Sequence, residues 1–178
     1  MLLSVLAAGA QKRLEILHTN DTHSCVMPLN PNLADTAVAG RGGFLRRVAM
    51  VKEEREKNPN LLLIDSGDFS QGSPYYTLFR GEVEVGLMNE MGYDAVAIGN
   101  HEFDFGLDNM AGLVKPYVIL KRNGLKVGIF GLAPALDGLV DATKCVGVKY
   151  LDPVETGNKV AAELKHAKKC DVVICVSH

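Results

Sequence analysis

The chain has 178 residues, enough for one domain with a sizeable core and too few for two large ones. Hydrophobic residues make up 47% and charged residues 22%, a globular composition far from that of a disordered chain. The formal net charge is -2 and no run of Lys or Arg exceeds two residues, which argues against a polynucleotide partner but leaves room for a small phosphorylated ligand whose charge a metal offsets.

In chain order, MLLSVLAAGA opens the sequence as an apolar run ending in small residues just before Gln11-Lys12-Arg13. It reads as the remnant of a secretory signal, residues 1–10, with Ala8-Gly9-Ala10 as an A-x-A-like cleavage site. Export to a periplasmic or extracellular space is therefore expected. The run is far too short for stable membrane insertion. The domain proper is read as 11–178.

Short apolar runs then alternate with amphipathic stretches, the pattern of an α/β domain. Leu14 to Leu17 reads as a first strand. A helix is expected over Gly43 to Lys57, with Phe44, Val48 and Val51 at i, i+4 and i+7 and Asn58-Pro59 as its stop. Arg41-Gly42-Gly43 suits either a phosphate contact at a helix start or a plain loop-to-helix entry. Leu61 to Ile64 is an apolar strand buried on both faces. A helical region over Pro74 to Met91, broken at Gly81, stops at Gly92. Ala95 to Ile98 is a third strand, and a helix follows near Gly106 to Val114.

Val118 to Leu120 and Val127 to Leu132 flank Asn123-Gly124, a hairpin-turn pair. Asp152-Pro153-Val154-Glu155 opens a helix with a cap residue and a first-turn proline, and Val160, Leu164 and Ala167 are expected on its inner face. Asp171 to Val176 is the last strand. The cysteines, Cys25, Cys145, Cys170 and Cys175, form no C-x-x-C pair. Across a strand, Cys170 and Cys175 stand roughly 16 Å apart, against the limit of about 7 Å for a disulfide. All four are expected as small core residues.

Polar residues collect where the strands end. The first strand runs into Thr19-Asn20-Asp21-Thr22-His23, the second into Asp65-Ser66-Gly67-Asp68, the third into Gly99-Asn100-His101-Glu102, and the last into Ser177-His178. Open α/β sheets place their sites beyond the carboxyl ends of strands. Singly, Asp21, Asp68 or Asn100 reads as a turn or cap residue; as one rim of carboxylates, imidazoles and an amide, the set fits Zn, Mn or Fe better than Mg or Ca. Asp21 and His23, two apart, point the same way on an extended stretch, and Gly67 permits the turn that makes Asp68 central. His18, within the first strand, is read as packed or as supporting the ligands from behind, not as a ligand, and His166 as solvated.

Asp-x-His, Gly-Asp, Gly-Asn-His-Glu and a later strand-terminal His, in that order, resemble the signatures of the calcineurin-like metallophosphoesterases. LHTNDTHS, IDSGDFSQGSP and AIGNHEFDFG look like the 5'-nucleotidase branch, whereas protein Ser/Thr phosphatases carry Asp-Arg-Gly where Phe69-Ser70-Gln71-Gly72 stands. The resemblance runs from about Leu14 to His178. It implies an α-β-β-α sandwich, here incomplete at the C-terminus, and two divalent metal ions. Asp21 and His23 would bind the first ion, Asp68 would bridge, and Asn100 and His178 would bind the second. His101 would stabilise the phosphoryl group and leaving oxygen, with Asp104 holding its ring. An ion lowers the pKa of water from 15.7 to about 7–9, which supplies the nucleophile near neutral pH.

The implied substrate is a small nucleotide, a nucleoside 5'-monophosphate, with 2',3'-cyclic phosphodiesters and nucleotide sugars as neighbouring specificities. The family pattern continues beyond the position of His178 into a Gly-His-x-His-type motif and a C-terminal domain that stacks the nucleobase. It also interposes a strand and a loop between the 106–114 helix and Pro116. Neither feature is in this sequence, so a substrate-binding domain is expected as a partner, in cis or as another chain. The rival reading is a non-catalytic module of the same fold.

Overall fold

A computed structural model describes residues 11–110 and 114–178. The expected signal segment, residues 1–10, and part of the expected 106–114 helix lie outside them. Two three-stranded sheets form the frame. In the first, β1 (Ile16–Thr19), β2 (Leu62–Asp65) and β3 (Ala95–Val96) run parallel in that order. In the second, β4 (Val118–Arg122) pairs antiparallel with β5 (Leu125–Leu132), and β5 pairs parallel with β6 (Val172–Ser177). The helices are α1 (Phe44–Lys57), α2 (Pro74–Phe79), α3 (Glu82–Met91), the short α4 (Leu107–Met110) and α5 (Pro153–Ala162).

Strand alternation decides the layers. Leu62 and Ile64 of β2 meet Val127 and Ile129 of β5 and Val176 of β6 in one buried cluster, the seam between the sheets. Leu63 turns the other way and packs with Phe44 and Val51 of α1 and Met88 and Met91 of α3. On the far side Phe130 of β5 packs with Leu164 and Cys170 beyond α5. The order is α-β-β-α, as expected. Each fully buried side chain of this size contributes about 1.5–3 kcal/mol.

Local chemistry explains most boundaries. Asp152 caps α5 by accepting from the Glu155 N–H at 2.7 Å, with Pro153 in the first turn. Asn123 and Gly124 both have positive φ, 48° and 69°, which a two-residue turn of the I′ class requires. The helical region breaks at Arg80-Gly81, both left-handed, and stops at Gly92. Gly43 has φ 86°, and a Cβ there would lie 2.8 Å from the Pro28 nitrogen, so Arg41-Gly42-Gly43 serves as an entry to α1.

Three expectations fail. His18 pairs with Ile64 across the ladder yet is exposed, because β1 is an edge strand. Of the four cysteines, all free thiols, only Cys170 is buried, and Cys175 projects from the outer face of β6 into solvent. Ala167 is exposed because the helix passes into a π turn over Glu163–Ala167, which shifts its phase after Leu164.

Polar contacts also span the layers. Asp94, just before β3, accepts from the Leu63 N–H at 3.0 Å and pairs with Arg122 of β4. Arg55 of α1 reaches the same carboxylate at 3.8 Å.

Candidate metal centre

The loops after β1 and β2 continue as a ladder beyond the strands. Ser66 N–H donates to Thr19 O at 2.9 Å, Asp21 N–H to Gly67 O at 3.0 Å, His23 N–H to Asp68 O at 3.0 Å, and Ser24 N–H to Phe69 O at 2.9 Å. Following this path puts Asp21, His23, Ser24 and Asp68 at φ 49°, 39°, 49° and 53°. Left-handed backbone costs on the order of 1–3 kcal/mol per residue, less where Asp and His tolerate it. Such strain concentrates where other contacts dictate geometry. Gly67 (φ 102°) touches the β3 loop: a Cβ on it would lie 2.5 Å from the Gly99 nitrogen.

Two groups of donor atoms result, each within 4.8 Å: His23, Asp68 and His101 in one, Asp21, Asp68 and His178 in the other. Asp68, only 4% exposed, belongs to both. Its Oδ2 lies 3.2 Å from His178 Nε2, and its Oδ1 accepts from the His101 N–H at 2.9 Å. His178 Nδ1 lies 3.0 Å from Ser66 O. A carbonyl only accepts, so Nδ1 carries a proton, and Nε2 is the nitrogen that would be left to take an ion. His101 Nδ1 meets Asp104 Oδ2 at 3.1 Å, which directs its Nε2 away from that carboxylate. The His23 and His101 rings stand edge-on, 5.4 Å between centroids, and His23 Nε2 is 3.7 Å from Asp21 Oδ1. Asn100 is half-buried at the head of the 3-10 turn His101–Phe103, its side chain capping nothing.

The resemblance pairs Asp21 with His23, which lie 3.7 Å apart, and Asn100 with His178. Among carboxylate and imidazole donors the tight groups also join Asp21 to His178 and bring a His101 donor beside His23. The donor set fits divalent ions on its own chemistry. Among the described residues no Lys or Arg forms an ion pair with Asp21 or Asp68. The buried Nδ1 of His23 has no hydrogen-bond partner. Carboxylates without a cation beside imidazole lone pairs suit ions of the Zn, Mn and Fe class.

Several contributors escaped the sequence reading. Glu102, 5% exposed, accepts from three backbone N–H groups: Asp68 at 3.0 Å and Gly99 at 2.7 Å on Oε2, and Ser70 at 3.1 Å on Oε1. Fully buried Ser24 donates to fully buried Glu84 and lies 2.5 Å from Ser73 Oγ. The available signal was Glu84 itself, a carboxylate in register with Met88 and Met91 on the apolar face of α3. Tyr76 donates to His101 O at 2.9 Å, and burial holds its hydroxyl well above the usual range, so it stays a donor. Asp65 is fully buried beneath the loop. Burial pushes its carboxyl up to about 6, although Thr19 Oγ1 at 2.5 Å and the Gly67 N–H at 2.8 Å pull the other way.

With fold and site in view, the chain belongs to the calcineurin-like phosphoesterase family, whose pattern it matches over residues 14–178. Within the family it matches the 5'-nucleotidase branch. It is 42% identical over 112 residues to the 5'-nucleotidase of Homo sapiens, covering 62% of this chain and 19% of that one. To the trifunctional nucleotide phosphoesterase protein of Bacillus subtilis it is 31% identical over 215 aligned positions, 97% of this chain and 14% of the other. That alignment is longer than the 178-residue chain, so the Bacillus protein carries inserted residues. The crystal structure of a 5'-nucleotidase precursor from Thermus thermophilus superposes with a TM-score of 0.78 at 31% identity, over 93% of this chain and 37% of that one. The chain thus spans well under half the length of each of these proteins. Among the described residues no helix is long and apolar enough to cross a membrane.

Proposed function

We propose that this chain is the metal-binding part of a phosphoester hydrolase that removes the 5'-phosphate from nucleoside monophosphates. The observation that carries the reading is one buried carboxylate, Asp68, shared by two donor groups beside the His101–Asp104 pair. We assign Asp21, His23, Asp68, Asn100 and His178 to two divalent ions of the Zn, Mn or Fe class. When bound, such ions supply Lewis acidity toward phosphoryl oxygens and a water acidified to near-neutral pKa.

The residues do the rest. Asp104 accepts from His101 Nδ1 and fixes the ring, so that Nε2–H can donate to the phosphoryl group and then to the leaving oxygen. The carboxylate also offsets the charge of the imidazolium. Tyr76, bonded to His101 O, holds the peptide that carries the ring. Ser66 O keeps His178 in the tautomer that presents Nε2.

The names of the relatives support the nucleotide as substrate, and their greater length supports a separate nucleobase-binding domain as partner. The apolar residues 1–10 support export as the destination. The test is phosphate release from AMP with Mn2+ or Zn2+ against a chelated control, with a 2',3'-cyclic nucleotide and a nucleotide sugar as competitors. Metal-dependent release that Asp68→Ala abolishes is expected. Bound metal without any release would favour the non-catalytic module.

A further inference from the structure

We infer that Glu102 is a positioning residue of the metal centre, a buried clamp that sets the loop carrying Asp68 against the loop carrying Asn100 and His101. The inference rests on the metal-binding reading above and adds a residue that binds no ion in it.

Three backbone N–H donors converge on one carboxylate: Asp68 and Gly99 on Oε2, Ser70 on Oε1. Buried backbone donors need partners, and a carboxylate, acceptor-only with about four lone-pair sites, is the one side chain that serves three at once. Two of the donors belong to the β2 loop and one to the β3 loop, so the clamp joins loops that no sheet hydrogen bond connects at this level. It also closes a reciprocal ring. Asp68 N–H donates to Glu102, and the N–H of His101, the residue just before Glu102, donates back to Asp68 Oδ1 at 2.9 Å. Backbone and carboxylate of Asp68 are thereby fixed together, in a residue held at φ 53°. The fit is close: a Cβ on Gly99 would lie 2.7 Å from the Asp68 nitrogen.

Glu102 lies in the 3-10 turn after β3, outside the strands of both sheets and outside α1 to α5. Its loss should therefore disturb the site more than the fold. Glu102→Gln makes the point sharply, because the amide has one oxygen and one NH2. Turned either way, the NH2 faces an N–H, of Ser70 or of both Asp68 and Gly99, and the loops must part. Side chains that orient ligands from behind typically account for 10–100-fold in metal affinity.

The experiment is calorimetric titration of the chain with Mn2+, well below the unfolding temperature, for wild type, Glu102→Gln and Glu102→Asp. Circular dichroism and unfolding in chelator accompany each titration. Glu102→Gln is expected to remain folded and to bind Mn2+ about 10–100-fold more weakly, with kcat for AMP reduced and KM little changed. Glu102→Asp, which keeps both acceptor oxygens on a shorter stem, should fall between. A folded Glu102→Gln with the wild-type affinity would overturn the inference, and so would a variant whose only change is a lower unfolding temperature. Should Glu102→Gln fail to fold, Glu102→Asp decides: weakened affinity supports the clamp, and wild-type affinity overturns it. Wild-type protein that binds no Mn2+ would sink the metal-binding reading and the clamp together, whereas normal wild-type binding with an unaffected Glu102→Gln sinks the clamp alone.

Discussion

At His101 the two ring nitrogens have separate surroundings: Nδ1 faces Asp104, and Nε2 is directed away from that carboxylate, free on the proposed reading to meet a phosphoryl group. His101→Ala should lower turnover about 10²–10³-fold, the usual loss on removing a donor to a developing oxyanion. Bound metal, measured by elemental analysis, should stay near the wild-type level. Asp104→Asn should reduce turnover in the same direction but less, since it only orients the ring. Because a His101 donor also lies within 4.8 Å of His23 and Asp68, metal lost in step with activity would reassign His101 as a ligand. A second residue-scale prediction concerns Asp65, whose carboxyl titrates at about 6 in the folded chain against 3.8 as the reference. Below the lower value both states are protonated and its contribution to stability is fully present. As pH rises through the higher one, the folded chain must ionise a buried group and that contribution is lost. The gap is worth on the order of 3 kcal/mol. In chelator, urea unfolding of Asp65→Asn should gain about that much over wild type between about pH 3.5 and pH 7.

At the scale of elements, β5 and the end of the α5 segment approach closely enough to leave little room at Gly128. A Cβ there would lie 3.0 Å from Leu164 Cδ2 and 3.1 Å from Cys170 Sγ. Gly128→Ala should cost about 1–3 kcal/mol by urea denaturation, the usual range for overpacking. Elements of this kind were legible in the sequence where the signal is local. Asp152-Pro153, Asn123-Gly124 and Gly92 act on residues within one turn, and each performs as read. The metal-centre candidates were legible because they follow apolar runs directly. What escaped depends on distant partners: Glu102 meets Asp68 across 34 residues and Ser24 meets Glu84 across 60. The exposure of His18 and Cys175 depends on where a sheet ends, and that of Ala167 on a π turn. Side-chain periodicity carries neither kind of information.

For the molecule as a whole, the contact of Asp94 with Arg122 joins the first sheet to the second. Removing one partner of a buried pair leaves a charge without compensation, roughly 3–5 kcal/mol when burial is complete. Arg122 is 25% exposed and Arg55 stands nearby, so Arg122→Met should destabilise the chain by somewhat less, about 2–3 kcal/mol in urea.

The two donor groups differ in ancestry within the fold. Of the residues assigned to the ions, Asp21, His23, Asp68 and Asn100 come from loops of the first sheet, while His178 is borrowed from beyond β6 of the other sheet. Ions filling them would therefore record the sequence of assembly. The first position can form once three parallel strands have come together; the second exists only after the two halves of the sandwich have met. In rising urea a Mn2+ titration should lose its stoichiometry in two steps, the ion next to His178 departing first. That ion would act as a rivet between halves, delaying their separation by mass action as its concentration rises. A single step, with both ions leaving together at every concentration, would show that the halves never part while the first sheet stands.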